Sequence, residues 1–354
     1  MNVAIIGTGM IADVHAQALT ELGHKLTIVI NRKNKNSAES FSKKWNIESF
    51  SDSLDDAFKD NIDFVHVCTL PVFHYEEVKA ALNNNKNVIC EKPLCLEADQ
   101  AFELVELAKS KNLINAVCFN VRFYNGCSEI KKNLKGKEFG EPFLVHGKYM
   151  QEFHALPCEY SWRYIDSVAG KMRATTEIGS HWIDLLRYLT ELEVKSVSAR
   201  FGKIAPNRKI ENNIMQFADE SAGNTIDVSS EDVAIINFEL SNGGIANVVL
   251  SEVSHGRNNK VEIEITGKNK SVWWDSEHPY QVNTALKNQG VTTNTNAFTD
   301  GFSSTFKELF ANVYQGKSEV NYPTFYDGYK NAIVCQAVYD SANNNSKVIE
   351  IGEY

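Results

Sequence analysis

Residues 3–12 read Val3-Ala4-Ile5-Ile6-Gly7-Thr8-Gly9-Met10-Ile11-Ala12, an apolar run followed by a G-x-G-x-x-A turn. The apolar run predicts a buried strand, and apolar residues at spacings of three and four predict a helix over residues 10–20. In such a turn the first glycine permits a sharp bend, the second lets backbone N–H groups approach a pyrophosphate, and the alanine allows helix and strand to pack closely. We therefore predict that Gly7, Thr8, Gly9, Met10 and Ile11 bind a dinucleotide. The alternative is a tight turn without a ligand.

Strands and helices alternate through the rest of the first third of the chain. Strands are predicted at 24–30, 63–70, 87–90 and 113–119, with helices between them at 38–45, 74–83 and 98–109. Strands separated by helices of about 10–15 residues are typical of right-handed βαβ units on a parallel sheet. We predict an α/β dinucleotide-binding domain over residues 1–122.

The pattern changes after about residue 122. Six strands are predicted nearly in series, at 143–150, 194–202, 232–240, 244–252, 260–266 and 271–275. Strands in series indicate an antiparallel sheet, and Asn242-Gly243 is a strong hairpin signal between two of them. With helices at 178–189, 302–314 and 327–342, residues 123–354 are predicted to form an α+β domain with an open, mostly antiparallel sheet. The Asn- and Thr-rich stretch 276–299 lacks periodicity, and we predict a functional loop there.

Composition limits the class of protein. The chain has 354 residues, more than one hydrophobic core usually serves, and its formal charge of −9 argues against a nucleic-acid partner. No apolar run approaches the roughly 20 residues of a membrane-spanning helix, and the first residues lead directly into a strand rather than a secretory signal. Seven cysteines without a C-x-x-C pair indicate reduced thiols. We expect a cytoplasmic protein that does not contact a membrane, and most two-domain proteins of this kind are enzymes.

The end of the second predicted strand bears on the choice between NAD and NADP. This segment reads Val29-Ile30-Asn31-Arg32-Lys33, and no acidic residue occurs between Glu21 and Glu39. NAD enzymes usually carry Asp or Glu about 20 residues after the glycines, where the carboxylate binds the ribose 2′-hydroxyl. Arg32 and Lys33 would instead pair with a 2′-phosphate, which favours NADP. The alternative is that both cations are solvated and Asn31 alone binds an unmodified ribose.

A lysine follows a later predicted strand, in the sequence Glu91-Lys92-Pro93. The carboxyl ends of the strands form the ligand crevice in a doubly wound sheet, so Lys92 would face the cofactor or the substrate. Its ammonium could hydrogen-bond a substrate oxygen and stabilise the alkoxide that forms as hydride leaves. The alternative is a surface lysine that pairs with Glu91.

The predicted helix at 178–189 carries a polar stripe. Glu177, His181, Asp184 and Tyr188 share this stripe at helical spacing, about a quarter-turn from an apolar stripe. An unperturbed histidine has a pKa near 6.5, so His181 could take an alcohol proton at neutral pH, while Glu177 could orient it or bind a substrate hydroxyl. The alternative is a histidine that caps the helix or is hydrogen-bonded in the core.

Taken together, the motifs resemble one known family. The chain carries, in order, G-T-G-M-I-A (7–12), T-L-P-x-x-H (69–74), E-K-P (91–93), N-x-R-F (120–123) and G-S-H-W-I-D (179–184). This ordered set resembles the glucose–fructose oxidoreductase / inositol dehydrogenase (Gfo/Idh/MocA) family over almost the whole chain. The resemblance implies an N-terminal Rossmann domain and a C-terminal domain whose sheet commonly serves as a subunit interface, hence a homodimer or homotetramer. It also implies NAD(P)-dependent oxidation of a secondary alcohol in a sugar, anhydrosugar or cyclic polyol, or the reverse reaction.

The resemblance assigns residues to roles. The family's catalytic lysine falls on Lys92 and its catalytic histidine on His181, while its usual aspartate is Glu177 in this chain. The cofactor site extends to Thr69, Leu70, Pro71, His74, Glu91 and Lys92. Further candidates for the substrate pocket are Arg122, Arg163, Tyr164 and His154, and no metal site is predicted.

Two other functions remain compatible with these residues. The first is a glycosidase of the same fold that retains NAD and uses transient oxidation to cleave a sugar bond. The second is a nucleotide-sensing binding protein without turnover, although such a protein would need neither Lys92 nor His181.

Overall fold

The computed structural model describes residues 1–218, 225–295, 301–316 and 320–352. The chain divides into two compact units, which we describe separately. The first comprises Met1–Phe123 and Gly301–Ala332, and the second comprises Tyr124–Asp300 and Ile333–Tyr354. Among the described residues, no helix has the length and apolar character needed to cross a membrane.

The described part of the chain contains strands, α-helices and shorter helical turns. The strands are β1 Asn2–Ile6, β2 Lys25–Ile30, β3 Ser49–Ser51, β4 Phe64–Val67, β5 Asn87–Cys90, β6 Asn115–Val117, β7 Pro142–Met150, β8 Cys158–Glu159, β9 Val194–Gly202, β10 Asn207–Glu211, β11 Ile214–Phe217, β12 Thr225–Asp227, β13 Val233–Leu240, β14 Ile245–Ser251, β15 Lys260–Gly267, β16 Lys270–Asp275, β17 Gln281–Leu286, β18 Val291–Thr295 and β19 Ile349–Glu350. The helices are α1 Met10–Glu21, α2 Lys35–Trp45, α3 Pro71–Asn83, α4 Ala98–Ser110, α5 Asn125–Lys135, α6 Asp166–Ala169, α7 Ser180–Thr190, α8 Phe302–Tyr314 and α9 Phe325–Asn343. Short 3-10 turns occur at Leu54–Phe58, Asn120–Phe123 and Trp162–Tyr164, and a π-helical turn at Thr175–Gly179.

The first unit is built on a parallel sheet of six strands in the order β3-β2-β1-β4-β5-β6. Helices α1, α3 and α4 follow β1, β4 and β5, as the alternating pattern predicts. The strand order reverses between β1 and β4, and the carboxyl ends of the strands at this switch point form the ligand crevice of doubly wound sheets. The predicted Rossmann domain is confirmed, and β3, which the sequence pattern did not indicate, extends its edge.

Helix α8 belongs to the first unit, although it lies far along the chain. Its buried side chains Phe306, Phe310 and Val313 share a hydrophobic core with Ala16 and Leu19 of α1. The chain therefore returns to the first unit at residue 301, whereas the sequence suggested one continuous second domain over 123–354. Helical periodicity identifies the apolar stripe of α8 but not the core that receives it, so the return could not be predicted.

The second unit contains a nine-stranded sheet in the order β18-β17-β16-β15-β7-β14-β13-β9-β19. Its strand pairs are antiparallel except β7 with β14, so the predicted open and mostly antiparallel sheet is confirmed. The hairpin between β13 and β14 turns at Asn242-Gly243, where Gly243 has a φ of +81°. A separate four-stranded sheet in the order β12-β10-β11-β8 was not predicted, because its strands are at most five residues long.

The prediction of a functional loop over 276–299 is wrong for the residues that the structure describes. Residues 281–286 and 291–295 form the antiparallel strands β17 and β18 at the edge of the large sheet. All five residues of β18 are exposed, so the strand lacks the apolar alternation by which a half-buried strand is recognised. Backbone pairing with β17 defines it instead, and residues 296–299 lie outside the described residues.

Candidate functional site

The glycine-rich turn has the geometry that a dinucleotide needs. Gly7 has a φ of +108°, and a Cβ on it would lie 2.5 Å from the carbonyl oxygen of Cys68, so no other residue fits without displacing the backbone. Gly9 is the N-cap of α1, and no atom lies within 4 Å of the position that its Cβ would take. Ala12 is fully buried between helix and sheet. The N–H groups at the start of α1 are thus left open, and this arrangement fits a pyrophosphate.

Asn31 connects this turn to the loop that follows β2. Its side-chain amide donates to Thr8 Oγ1 at 2.8 Å, and its Oδ1 accepts from the backbone N–H groups of Lys33 and Asn34 at 3.1 and 3.0 Å. Thr8 Oγ1 also contacts Ser37 Oγ at 2.8 Å. Asn31 and Thr8 therefore shape the loop, while the exposed Met10 and half-buried Ile11 lie in the first turn of α1.

Arg32 is held by a carboxylate that the sequence analysis did not identify. Its Nη2 lies 2.8 Å from Glu77 Oε1, and Glu77 comes from the second turn of α3. The Arg32 guanidinium carbon and Lys33 Nζ lie 5.1 and 4.7 Å from the ring centroid of Phe73. Glu77 is fully buried and also accepts a hydrogen bond from Thr69 Oγ1. Burial raises the pKa of Glu77, and the Thr69 hydroxyl and Arg32 oppose that shift.

The segment 69–74 follows β4 in the chain and contacts the Glu91-Lys92-Pro93 turn in space. Leu70 is the N-cap of α3 and Pro71 its first residue, where the missing N–H costs no hydrogen bond. The ring of the buried His74 contacts the Pro93 carbonyl oxygen through Nδ1 at 2.7 Å and the Thr69 carbonyl oxygen through Nε2 at 3.1 Å. Burial lowers the pKa of His74, so the ring is neutral and donates through one nitrogen only. His74 thus holds the turn that contains Lys92 against the end of β4.

Glu91 is buried beneath that turn, and Lys92 is half-buried. Glu91 Oε1 accepts from His15 Nε2 at 3.0 Å, and its Oε2 accepts from the backbone N–H of Lys92 at 3.2 Å. His15 lies on α1, fully buried. Glu91 therefore connects the helix after the glycine-rich turn to the backbone of the candidate catalytic lysine.

The contact with His15 continues into a hydrogen-bonded chain through the core of the first unit. His15 Nδ1 lies 2.9 Å from His66 Nδ1, and His66 Nε2 lies 2.9 Å from the Tyr314 hydroxyl. Burial is the main cause that lowers the pKa of His66 well below its ordinary value, and the nearby His15 and His24 lower it further. A neutral His66 donates from one ring nitrogen and accepts at the other, so the contacts fit a chain in which Tyr314 donates to His66, His66 to His15, and His15 to the Glu91 carboxylate.

Two buried thiols flank His15. Cys68 Sγ lies 3.2 Å from His15 Nδ1, and Cys118 Sγ lies 3.7 Å from its Nε2. The ligand atoms of His15, Glu91 and Cys118 lie within 4.8 Å of one another, so these three residues could hold a metal ion. The sequence analysis missed this cluster because its members come from α1, the residue after β5 and the residue after β6.

In the second unit, the helix with the predicted polar stripe begins earlier than the sequence indicates. The π-helical turn Thr175–Gly179 leads directly into α7, and such turns are frequent at functional sites. His181 is buried, and Glu177 is half-buried and accepts a hydrogen bond from Arg163 Nε at 3.1 Å. At the far end of the stripe, Lys131 Nζ lies 4.2 Å from the ring centroid of Tyr188.

The start of this helix is fixed by a buried carboxylate that the sequence analysis also missed. Glu231 Oε2 accepts from the backbone N–H of Arg173 at 3.1 Å, and its Oε1 accepts from that of Thr175 at 2.7 Å. The Arg173 side chain donates to Glu252 Oε2 at 2.8 Å and to Asp232. Burial raises the pKa of Glu252 to about 7, an effect that Arg173 opposes.

Two of the substrate-pocket candidates, Tyr164 and His154, contact this buried ionic cluster. Tyr164 is hydrogen-bonded to His154 Nδ1, and its ring lies 4.8 Å from the guanidinium carbon of Arg173. Arg208 donates to the carbonyl oxygen of His154 at 2.7 Å. Burial, reinforced by nearby arginines, lowers the pKa of His154 well below its ordinary value, so the ring is neutral. Tyr164 and His154 therefore pack against the cluster.

Arg122 lies in the first unit, in the 3-10 turn Asn120–Phe123. Its Nη2 pairs with Asp327 Oδ1 at 2.8 Å, and Asp327 Oδ2 accepts from the backbone N–H of Thr324 at 2.8 Å. The candidate cofactor residues and Lys92 therefore share the first unit with Arg122, while Arg163, Glu177 and His181 belong to the second.

Comparison with known proteins identifies two domains in chain order. Residues 1–119 match the NAD-binding Rossmann-fold domain of an oxidoreductase family, and residues 131–351 match the C-terminal alpha/beta domain of that family. The chain is 26% identical to levoglucosan dehydrogenase of Pseudarthrobacter phenanthrenivorans, covering 98% of this chain and 97% of that protein. It is 23% identical to glucose-6-phosphate 3-dehydrogenase of Bacillus subtilis, with 97% of each chain covered.

Solved structures share the fold across the full length. A levoglucosan dehydrogenase in complex with NADH and levoglucosan superimposes with a TM-score of 0.89, at 23% identity and with all of both chains covered. An inositol dehydrogenase homologue from Azotobacter vinelandii in complex with NAD+ gives a TM-score of 0.86 at 19% identity, with 99% of this chain and 97% of that chain covered. With both domain matches in chain order and the expected motifs in place, this chain belongs to the Gfo/Idh/MocA oxidoreductase family.

Proposed function

We propose that this protein is an NAD(P)-dependent dehydrogenase that acts on a secondary alcohol of a sugar, anhydrosugar or cyclic polyol. The observation that carries the proposal is the open glycine-rich turn at the switch point of the parallel sheet, with Lys92 following a nearby strand of that sheet. The names of its full-length relatives, which include levoglucosan and glucose-6-phosphate 3-dehydrogenases, support the substrate class.

The proposed chemistry divides among three side chains. A bound nicotinamide supplies the hydride acceptor. Lys92 donates a hydrogen bond to the substrate hydroxyl oxygen and stabilises the developing alkoxide. His181 takes the hydroxyl proton at an imidazole nitrogen, which is the general-base role. Glu177, held by Arg163, binds a neighbouring substrate hydroxyl or orients His181.

Within the cofactor class we propose a preference for NADP. The end of β2 carries two cations, Arg32 and Lys33, which both lie over the ring of Phe73. A 2′-phosphate is dianionic near neutral pH and pairs with such cations, whereas a carboxylate that would select a 2′-hydroxyl is missing from residues 22–38 of the sequence.

The proposal is tested by following nicotinamide absorbance with NAD and NADP across a panel of sugars, anhydrosugars and inositols. We expect net reduction with at least one of these compounds and a higher kcat/KM with NADP. Release of sugar from an aryl glycoside without net reduction would instead identify a glycosidase that retains its cofactor. Tight cofactor binding with no reaction across the panel would identify a binding protein. The glycosidase result and the binding-only result would each refute the proposed dehydrogenase activity.

We further propose that the protein is a homodimer or homotetramer associated through the large sheet. Residues of β13 alternate between buried and exposed. On the exposed side, Ile235 of β13 is 51% accessible to solvent, and Ile245 of β14 is 59% accessible. Exposed apolar residues on a sheet face are suited to a subunit interface. Light scattering of the purified protein tests the oligomeric state.

The seven cysteines are unpaired thiols, which supports our proposal of a cytoplasmic location.

A further inference from the structure

We propose that Glu77 is a positioning residue for cofactor selectivity: its buried carboxylate holds Arg32 ready to receive the 2′-phosphate of NADP. This inference rests on the proposed preference for NADP. Glu77 follows β4 in the chain, 45 residues beyond Arg32, and nothing in the dinucleotide motif itself includes it.

The first step is that Glu77 needs a cation. Its side chain is fully buried, and an ionised carboxylate in such a place is costly unless charged and hydrogen-bonding partners surround it. Thr69 Oγ1 donates a hydrogen bond to Oε2, and Arg32 Nη2 lies 2.8 Å from Oε1 as its ion-pair partner. These two contacts oppose the increase in pKa that burial causes.

The second step is that this pairing restrains Arg32. A guanidinium carries its donors in a rigid planar fork, so fixing one Nη fixes the direction of the others. The ring of Phe73 lies 5.1 Å from the guanidinium carbon and restrains the same group from another side. An exposed arginine without such restraints would lose rotamer freedom when it binds a phosphate, and a restrained one loses less.

The third step is that Arg32 keeps a surface for a ligand. Its side chain is 37% exposed, whereas that of Glu77 is not exposed at all, so solvent and ligands reach the cation but not its anchor. Lys33 lies over the same Phe73 ring, so two cations and one buried anion meet at the end of β2. The local charge is positive overall, as a phosphate requires.

The test compares two nucleotides that differ only by the 2′-phosphate: adenosine 2′,5′-bisphosphate and adenosine 5′-monophosphate. Dissociation constants are measured by calorimetry for the wild type, Glu77→Gln, Arg32→Ala and the double variant. Glu76→Gln is the matched control, because Glu76 is the neighbouring acid on α3 but is exposed.

We expect Glu77→Gln to weaken binding of the bisphosphate by about two- to tenfold, the usual cost of ordering one long side chain, and to leave the monophosphate unchanged. Arg32→Ala should weaken bisphosphate binding by about tenfold to hundredfold. In the Arg32→Ala background the Glu77 substitution should have no further effect, because Glu77 acts through Arg32. Glu76→Gln should match the wild type. In steady-state kinetics with NADP varied, Glu77→Gln should raise the KM for NADP and leave kcat unchanged.

Three results would overturn the proposal: equal weakening of both nucleotides, no change, or tighter bisphosphate binding, which would show that the carboxylate repels the phosphate. If Glu77→Gln does not fold, Glu77→Asp keeps the charge and shortens its reach, and the same selective loss is expected. Equal affinity of the wild type for both nucleotides would refute the preference for NADP itself. Failure of hydride transfer on the sugar panel leaves these binding measurements interpretable, so the two failures are distinguishable.

Discussion

His15 and Glu91 are hydrogen-bonded at 3.0 Å inside the first unit, which connects the helix after the glycine-rich turn to the strand end that carries Lys92. The same carboxylate accepts the backbone N–H of Lys92, so the candidate pyrophosphate site and the candidate catalytic lysine share one buried support.

Lys92→Ala and His181→Ala should each reduce kcat by about 10²–10⁴-fold, the usual contribution of a group that transfers or stabilises a proton. His278→Ala is the matched control for the histidine, since His278 is 66% exposed on the second unit. Steady-state kinetics on a substrate from the panel checks this. Wild-type turnover in both variants would refute the assigned roles.

Gly7→Ala and Gly9→Ala should separate folding from cofactor binding. An alanine at residue 7 has a φ of +108° and a Cβ 2.5 Å from the Cys68 carbonyl oxygen, so we expect a loss of stability of about 1–3 kcal/mol or more. An alanine at residue 9 has free space, and we expect normal stability but weaker cofactor binding, because its methyl group lies where the backbone approaches the pyrophosphate. Urea denaturation and cofactor titration measure the two effects, and a destabilised Gly9→Ala would contradict this assignment.

Tyr314→Phe should destabilise the protein by about 1–3 kcal/mol, because it leaves the buried His66 Nε2 without its donor. Tyr326→Phe is the control, since Tyr326 is 47% exposed. Urea denaturation compares the two variants. Nitrogen NMR of labelled histidines provides a second readout, in which His66 should carry its proton on Nδ1 and His15 on Nε2. The opposite tautomers would show that the chain of donors runs the other way.

Glu252 should make stability depend on pH in a predictable direction. Its pKa is raised to about 7 in the folded protein from an ordinary 4.5, so the folded state binds a proton more tightly than the unfolded state. The stabilising contribution is complete below pH 4.5 and is lost as the pH rises through 7, a change of about 3 kcal/mol. The groups nearby are Arg173, Glu177, Glu231 and His154.

Glu252→Gln removes this titration, so its stability relative to the wild type should increase between pH 5 and about pH 8. Thermal denaturation of both proteins across this range measures the difference. Parallel pH profiles would mean that Glu252 does not titrate in this window in the folded protein.

Much of the fold could be predicted from local patterns. The strand Asn87–Cys90 and the helix Phe302–Tyr314 have the predicted bounds, because apolar periodicity and flanking turns define them within a few residues of sequence. Strand β18 and the four-stranded sheet could not be predicted in this way. They are short or exposed on both faces, so their hydrogen bonds come from neighbouring strands rather than from a pattern of their own.

The sequence by itself determined the glycine-rich turn, the parallel and antiparallel halves, the order of the family motifs and the candidate residues Lys92, Glu177 and His181. Each of these is encoded by residues close together in the chain, where steric limits and periodicity act directly. Only the tertiary structure decided that Glu77 pairs with Arg32, that Glu231 caps the helix before His181, and that α8 completes the first unit. Such contacts join residues 45 to about 300 positions apart, and they depend on how whole elements pack, which no local pattern records.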